Sequence, residues 1–260
     1  MKEKKCIVVI PVYTSLKKRE QYVIQNAIET LTNFDVVFIC PRSFLIAETY
    51  DAFSGTPFIR FDDKYFASKD SYNLLMLLPD FYQTFQDYEY ILIHQTDAFV
   101  FRNELQKWCD DGYDYVGATW YRPQKLKARR YRMFMGTYFS FLYKPQRALD
   151  YVKDNNVGNG GLSLRKVSTF IQVLNTAKIQ PVLEKYRTLA GGIYNEDIFW
   201  AIEVPRINKA FKKPTWNEAL KFAIETAPIE AYKEIGNQLP FGCHAFEVYE
   251  PLFWNQFILK

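Results

Sequence analysis

A carboxylate just beyond the end of a buried strand can hold a hard divalent cation, and such a cation neutralises phosphate charge. Asp97 stands in that place, after the apolar run at residues 90–94 (YILIH) and the polar Gln95 and Thr96. The same residue can equally serve as a helix cap or a turn residue. A second segment, Asn159-Gly160-Gly161-Leu162-Ser163-Leu164-Arg165, pairs two glycines that let the backbone approach a ligand closely. If it is extended, Ser163 and Arg165 share one face; if it is a glycine turn entering a helix, Ser163 lies near the cap. Third, Asn195-Glu196-Asp197 places adjacent acids at the head of a helical-looking segment. Acids there complement the helix dipole, or one of them can deprotonate a hydroxyl while the other orients the ligand. Fourth, Gly242-Cys243-His244-Ala245-Phe246 carries one of the two histidines, in a turn of small residues where it can complete a metal site. The other, His94, ends an apolar run and reads as structural.

These residues need a scaffold, and the first half of the chain supplies an α/β pattern. Short β-branched runs at 6–12, 35–40, 58–61 and 90–94 predict strands, and helical spacing at 19–31 and 71–85 predicts helices between them. A short helix at 103–109 and a strand at 113–119 follow. Further on, 162–174 and 195–202 have helical spacing, while glycines at 158–161 and 191–192 mark turns or close approach to a ligand. Polar residues at the carboxyl end of a parallel strand are where open α/β sheets place ligands, which singles out Gln95, Thr96 and Asp97. No repeat and no linker divides the chain, so one domain is expected over residues 1–260.

With 48% hydrophobic and 18% aromatic residues, the 260-residue chain has an ordered globular composition. A net charge of +4, spread along the sequence, suits an anionic small substrate and gives no case for nucleic acid as a partner. The densest basic run, residues 125–132 (KLKARRYR), can touch diphosphate or anionic lipid, or be a solvated loop. Four cysteines without C-x-x-C spacing argue against structural zinc or a disulfide framework and point to a reducing cytoplasm. No stretch approaches the roughly 20 apolar residues of a transmembrane helix, so any membrane association, at the inner membrane, is expected to be peripheral.

The ordered set Q-T-D after a hydrophobic strand, N-G-G-L-S-L-R, N-E-D-I-F-W and G-C-H-A-F resembles the GT-A glycosyltransferases over roughly residues 90–254. More closely, the chain resembles a bacterial family of proposed glycosyltransferases, formerly of unknown function, found in polysaccharide gene sets. The motif order is similar to that of inverting beta-1,4-galactosyltransferases, in which a D-x-D aspartate, a Gly-Gly-x-Ser segment, a Glu-Asp pair and a metal-binding histidine follow one another. The resemblance implies an α/β fold: a single GT-A type, Rossmann-like domain with a mostly parallel central sheet flanked by helices. A nucleotide-sugar half would span about residues 1–100, and an acceptor-binding, catalytic half about residues 101–260.

Carried over, it makes Asp97 and His244 ligands of Mn²⁺ or Mg²⁺. Asp197 becomes the general base with Glu196 beside it, and Gly160, Gly161 and Ser163 match the glycine segment that meets substrate, with Asn159 and Arg165 of the same run as further candidates. Pro11, Val12 and Tyr13 would line the base and ribose pocket, with Tyr72 and Asn73 contributing from a helix. Trp120 can stack on a sugar face or be an ordinary half-buried aromatic. Gln95 stands where the first aspartate of D-x-D is usual; it keeps hydrogen bonding to ribose but removes a carboxylate. The implied reaction is inverting hexose transfer, galactose-type, from a UDP-sugar to a saccharide or lipid-linked saccharide. Alternatives are a retaining transferase on the same fold and a non-catalytic carbohydrate-binding module. A hydrolase using Glu196 and Asp197 is disfavoured, because adjacent residues of one helical turn do not face each other across a bond.

Overall fold

Strands that are apolar on both faces need cover on both faces, and alternating helices supply it. The computed structural model describes residues 4–123, 153–189, 191 and 194–258; the basic run at 125–132 and Gly192 lie outside them. Its centre is a nine-stranded sheet in the order β3-β2-β1-β4-β7-β6-β8-β9-β5. The parallel half consists of β3 (Phe58–Phe61), β2 (Asp35–Pro41), β1 (Lys4–Pro11) and β4 (Tyr88–His94). Successive residues of β1 alternate between two cores: Ile7 and Val9 join one, and Cys6, Val8 and Ile10 the other. Each such side chain taken from water contributes roughly 1.5–3 kcal/mol, which is why this run forms a central strand.

The helices follow the sequence pattern except where a residue forbids it. In α1 (Lys18–Thr30), Val23, Ile24 and Ala27 are buried, and the Glu20 carboxylate accepts from the Lys17 backbone N–H at 2.7 Å. The run expected as one helix at 71–85 is two: α2 (Lys69–Leu75), capped by Ser68, and α3 (Pro79–Gln83). Pro79 has no N–H to donate and is at home only in the first turn of a new helix.

The antiparallel part of the sheet begins beyond β4. β5 (Ala98–Val100) and α4 (Leu105–Asp110) lead to β6 (Tyr115–Thr119), which pairs with β7 (Val157–Lys166). The helix expected from Leu162 therefore starts later, as α5 (Val167–Leu174). Through 157–166 the chain alternates with a period of two: Leu162 and Leu164 enter one core, Ser163 and Arg165 point to the opposite side, and neighbouring strands pair with both edges. After α6 (Gln180–Thr188), α7 (Glu196–Ile198) runs through a π-helical segment, Phe199–Glu203, into α8 (Val204–Ile207). α9 (Trp216–Phe222), β8 (Ala223–Ile224), α10 (Pro228–Glu234), β9 (Gly242–His244) and α11 (Pro251–Ile258) complete the fold. All four cysteines are buried free thiols, and no helix among the described residues is long and apolar enough to cross a membrane.

Candidate active site at the carboxyl edge of the sheet

Sheet register carries three of the sequence motifs to one edge, where the segment Asn195-Glu196-Asp197 meets them at a cavity. β4 ends at His94, opposite Leu162 of β7, and the Gln95 N–H continues the ladder to the Gly161 carbonyl at 2.8 Å. A turn closed from the Ala98 N–H to the Gln95 carbonyl at 3.0 Å then presents Asp97. β9 pairs with β5 so that His244 lies opposite Ala98, one residue past Asp97. His244 Nε2 is consequently 3.3 Å from Asp97 Oδ1 and 3.2 Å from Gln95 Oε1. A Cβ on Gly161 would overlap the His244 ring, so only glycine lets strand and imidazole come this close.

Nitrogen and two oxygens at this spacing suit a small divalent cation. Ligands held at about 2.1 Å and at right angles stand about 3 Å apart, and Mg²⁺-like ions are held by one or two protein groups plus substrate phosphates. The donor set is one carboxylate, one imidazole and one amide oxygen; among the described residues no group of three or more His, Cys, Asp or Glu side chains is placed to hold a metal. Burial works to lower the His244 pKa, but the carboxylates of Asp97 and Glu225 raise it to about 10. Burial likewise pushes Asp97 up, and the hydrogen bond and charge of His244 more than reverse it, leaving Asp97 below its ordinary value.

Glu225, which the motifs did not single out, joins this corner to the catalytic candidate. It follows the two-residue strand β8, is 7% exposed, and lies with Oε1 3.4 Å from His244 Nδ1. The same oxygen accepts from Asn159 Nδ2 at 2.9 Å, and Asn159 Oδ1 accepts from the Gly161 N–H at 2.8 Å. An acid after an apolar run is the signal that had marked Asp97. Here it was obscured because the helical pattern of α9 continues into so short a strand.

Asp197, Glu225, Asn159, Asn195 and Trp120 line one cavity of about 290 Å³, with Lys69, Arg122 and Lys153 also on its wall. Burial first, then the charge of Glu196, lifts the Asp197 carboxyl from 3.8 to about 7, Lys153 working in the opposite sense. A carboxyl poised there exchanges protons readily near neutral pH. The Lys153 ammonium sits 4.8 Å from the centre of the Trp120 ring.

Several expected ligand contacts belong instead to the support beneath. Arg165 is fully buried and donates to Ser163 Oγ (3.0 Å), Tyr82 Oη (2.9 Å) and Glu196 Oε1 (3.0 Å). Ser163 Oγ in turn donates to the Gly160 carbonyl at 2.9 Å. The one Ser163 hydroxyl proton is used, Arg165 is fully buried away from the cavity, and Glu196 is the counter-ion of that guanidinium rather than a second acid in the cavity. A Cβ on Gly160 would strike Glu196 Oε1, so this glycine makes room for the ion pair and not for a ligand. Asn73 Nδ2 donates to Asn195 Oδ1 at 3.1 Å, tying α2 to the acidic segment, and the buried Tyr72 hydroxyl has no partner. Pro11 and Val12 are buried under the edge, whereas Tyr13 is 56% exposed and feels the Asp97 charge. Thr96 is half-buried in the turn. His94 is fully buried and held neutral by burial, which lowers it to about 4.

A parallel sheet joined to antiparallel strands, with polar residues gathered at its carboxyl edge, is the architecture of the GT-A glycosyltransferase fold. The apo form of mouse xyloside xylosyltransferase 1 superposes with a TM-score of 0.51 at 12% identity, over 91% of this chain and 96% of that one. An active-site mutant of LgtC gives 0.51 at 13% identity, over 92% and 86%. The apo form of the bifunctional glycosyltransferase WbbM gives 0.53 at 14%, over 96% of this chain and 47% of that one. At these identities the likeness establishes the fold. The chain itself belongs to the family described as protein of unknown function (DUF5672), whose profile matches residues 55–244. Curated proteins contain no sequence match.

Proposed function

We propose that this protein is a metal-dependent glycosyltransferase that moves a hexose, galactose-type, from a UDP-sugar to a saccharide or lipid-linked saccharide acceptor of a bacterial surface polysaccharide. The reading rests on one observation above all. Asp97 pairs with His244 at one corner, Asp197 lines the neighbouring cavity, and Glu225, which lines that cavity too, lies 3.4 Å from His244 Nδ1 and accepts from Asn159. That separation of a cation corner from a proton acceptor is what transfer between a diphosphate ester and a hydroxyl requires.

In this reading Asp97 and His244, with Gln95 beside them, hold Mn²⁺ or Mg²⁺. When bound, the cation neutralises the charge that develops on the departing diphosphate. Tyr13, the exposed aromatic at the end of β1, is offered to the nucleotide base, so residues 1–100 serve chiefly the donor and residues 101–260 the acceptor and the chemistry. The cavity, near the lower end of the usual 300–1,000 Å³ for ligand pockets, is on the scale of one sugar ring, with Trp120 as its stacking face. Asp197 accepts the proton of the acceptor hydroxyl as its oxygen bonds to the anomeric carbon and the bond to the diphosphate oxygen breaks, which inverts the configuration. The enzyme would act in the cytoplasm, at most peripheral to the inner membrane.

The experiment is donor turnover across a panel of nucleotide sugars, with and without Mn²⁺, in wild type and in Asp97→Ala, His244→Ala and Asp197→Asn. One donor bound in a Mn²⁺-dependent way, with turnover lost but binding kept in Asp197→Asn, supports the proposal. Anomeric NMR of the product separates inversion from retention. Absence of binding by every nucleotide sugar would refute the transferase reading and leave a carbohydrate-binding module.

A further inference from the structure

We propose that Glu225 is a positioning residue for the cation corner, orienting His244 through Nδ1 so that Nε2 is presented as a metal donor. The inference rests on the metal-binding role given above to Asp97 and His244, and assigns the residue that makes it work. Metal-binding histidines are usually held by a carboxylate on the second ring nitrogen, which selects the tautomer and the ring plane. Glu225 Oε1 is 3.4 Å from His244 Nδ1, and the opposite nitrogen faces Asp97 Oδ1 at 3.3 Å and Gln95 Oε1 at 3.2 Å. Glu225 thus faces one ring nitrogen while Asp97 and Gln95 face the other, so a carboxylate beside Nδ1 fixes the ring plane in which Nε2 meets the two oxygens.

The position of Glu225 is itself enforced. Asn159 Nδ2 donates to its Oε1 at 2.9 Å, and Asn159 is held in turn by the Gly161 N–H on its own Oδ1 at 2.8 Å. Gly161 then packs directly on the imidazole, closing a ring of four residues: Glu225, His244, Gly161 and Asn159. Glu225 Oε2 is buried without a partner. Burying a carboxylate this incompletely satisfied costs stability, and a role at the cation corner explains why it is tolerated.

Mn²⁺ binding to the purified full chain, followed by the EPR signal of free Mn²⁺ with and without UDP, tests this without reference to turnover. Removing a carboxylate that orients a metal-binding histidine typically weakens affinity about 10–100-fold. Glu225→Ala should show that loss, Glu225→Gln, which keeps the acceptor but not the charge, should fall at least threefold below wild type, and Asp197→Asn should bind like wild type. If His244→Ala loses Mn²⁺ while both Glu225 variants bind like wild type, the positioning role is overturned and the metal site stands. If wild type takes up no Mn²⁺ even with UDP, the metal site falls and the inference with it. Should Glu225→Ala not fold, Glu225→Gln decides alone, and wild-type affinity in it overturns the proposal.

Discussion

Replacing Asp197 by asparagine should stabilise the protein while abolishing turnover. The native carboxyl titrates near 7, against 3.8 for an unhindered aspartate, because burial and then Glu196 oppose its charge. A group whose native pKa is raised binds more protons folded than unfolded, so stability falls as pH rises between the two values and the cost is complete above 7. From pH 5 to pH 7 two units of this window are crossed, at about 1.4 kcal/mol each, a ceiling of roughly 3 kcal/mol. Solvent reaching the carboxyl through the cavity screens part of it, leaving about 1–2 kcal/mol. Asparagine has the same shape and carries no charge at any of these pH values. Urea unfolding of both proteins at pH 5 and pH 8 should therefore show an advantage for Asp197→Asn that grows by that amount with pH, at unchanged m-value. An advantage that is absent, or independent of pH, would refute the account of Asp197 as a strained, near-neutral carboxyl, and with it the main physical reason for making it the base.

If Asp197 accepts the proton, kcat/KM for the transfer should rise with pH and level off above about 7, as a pH–rate profile would show. Gly161→Ala would push the His244 ring from its place and should abolish Mn²⁺ binding in a direct titration, with the overall fold retained by circular dichroism. Arg165→Met leaves the Glu196 carboxylate buried without its counter-ion, and thermal unfolding should report about 3–5 kcal/mol of destabilisation. Trp120→Ala should raise the KM for a saccharide substrate by roughly 2–12-fold, corresponding to a stacking contribution of 0.5–1.5 kcal/mol, with a smaller change in kcat.

Local pattern was enough for the parallel half of the sheet. The runs that became β1, β2 and β4 are apolar on both faces, and only a buried strand accommodates such runs in so few residues; β3, with Arg60 in it, lies at the sheet edge. The polar break after His94 marked the candidate ligand edge, and position together with the motif order singled out Asp97, Asp197 and His244. What 157–166 would become was not decided locally: its apolar residues fit a helix as well as a strand, and pairing with β4 and β6 on either side settled it. That choice put Ser163 and Arg165 on a face where they meet Tyr82 and Glu196, far apart in sequence, and so placed both expected substrate contacts in a buried support. Glu225 shows the same limit from the other side. Its sequence signal is masked by the helical pattern before it, and its closeness to His244 and Asn159 arises only from strands that pair in the finished sheet. Which residues can carry chemistry follows from side-chain type; which ones share a charge, a proton or a cavity follows from long-range strand pairing, because those interactions act over a few ångströms that only the folded chain brings together.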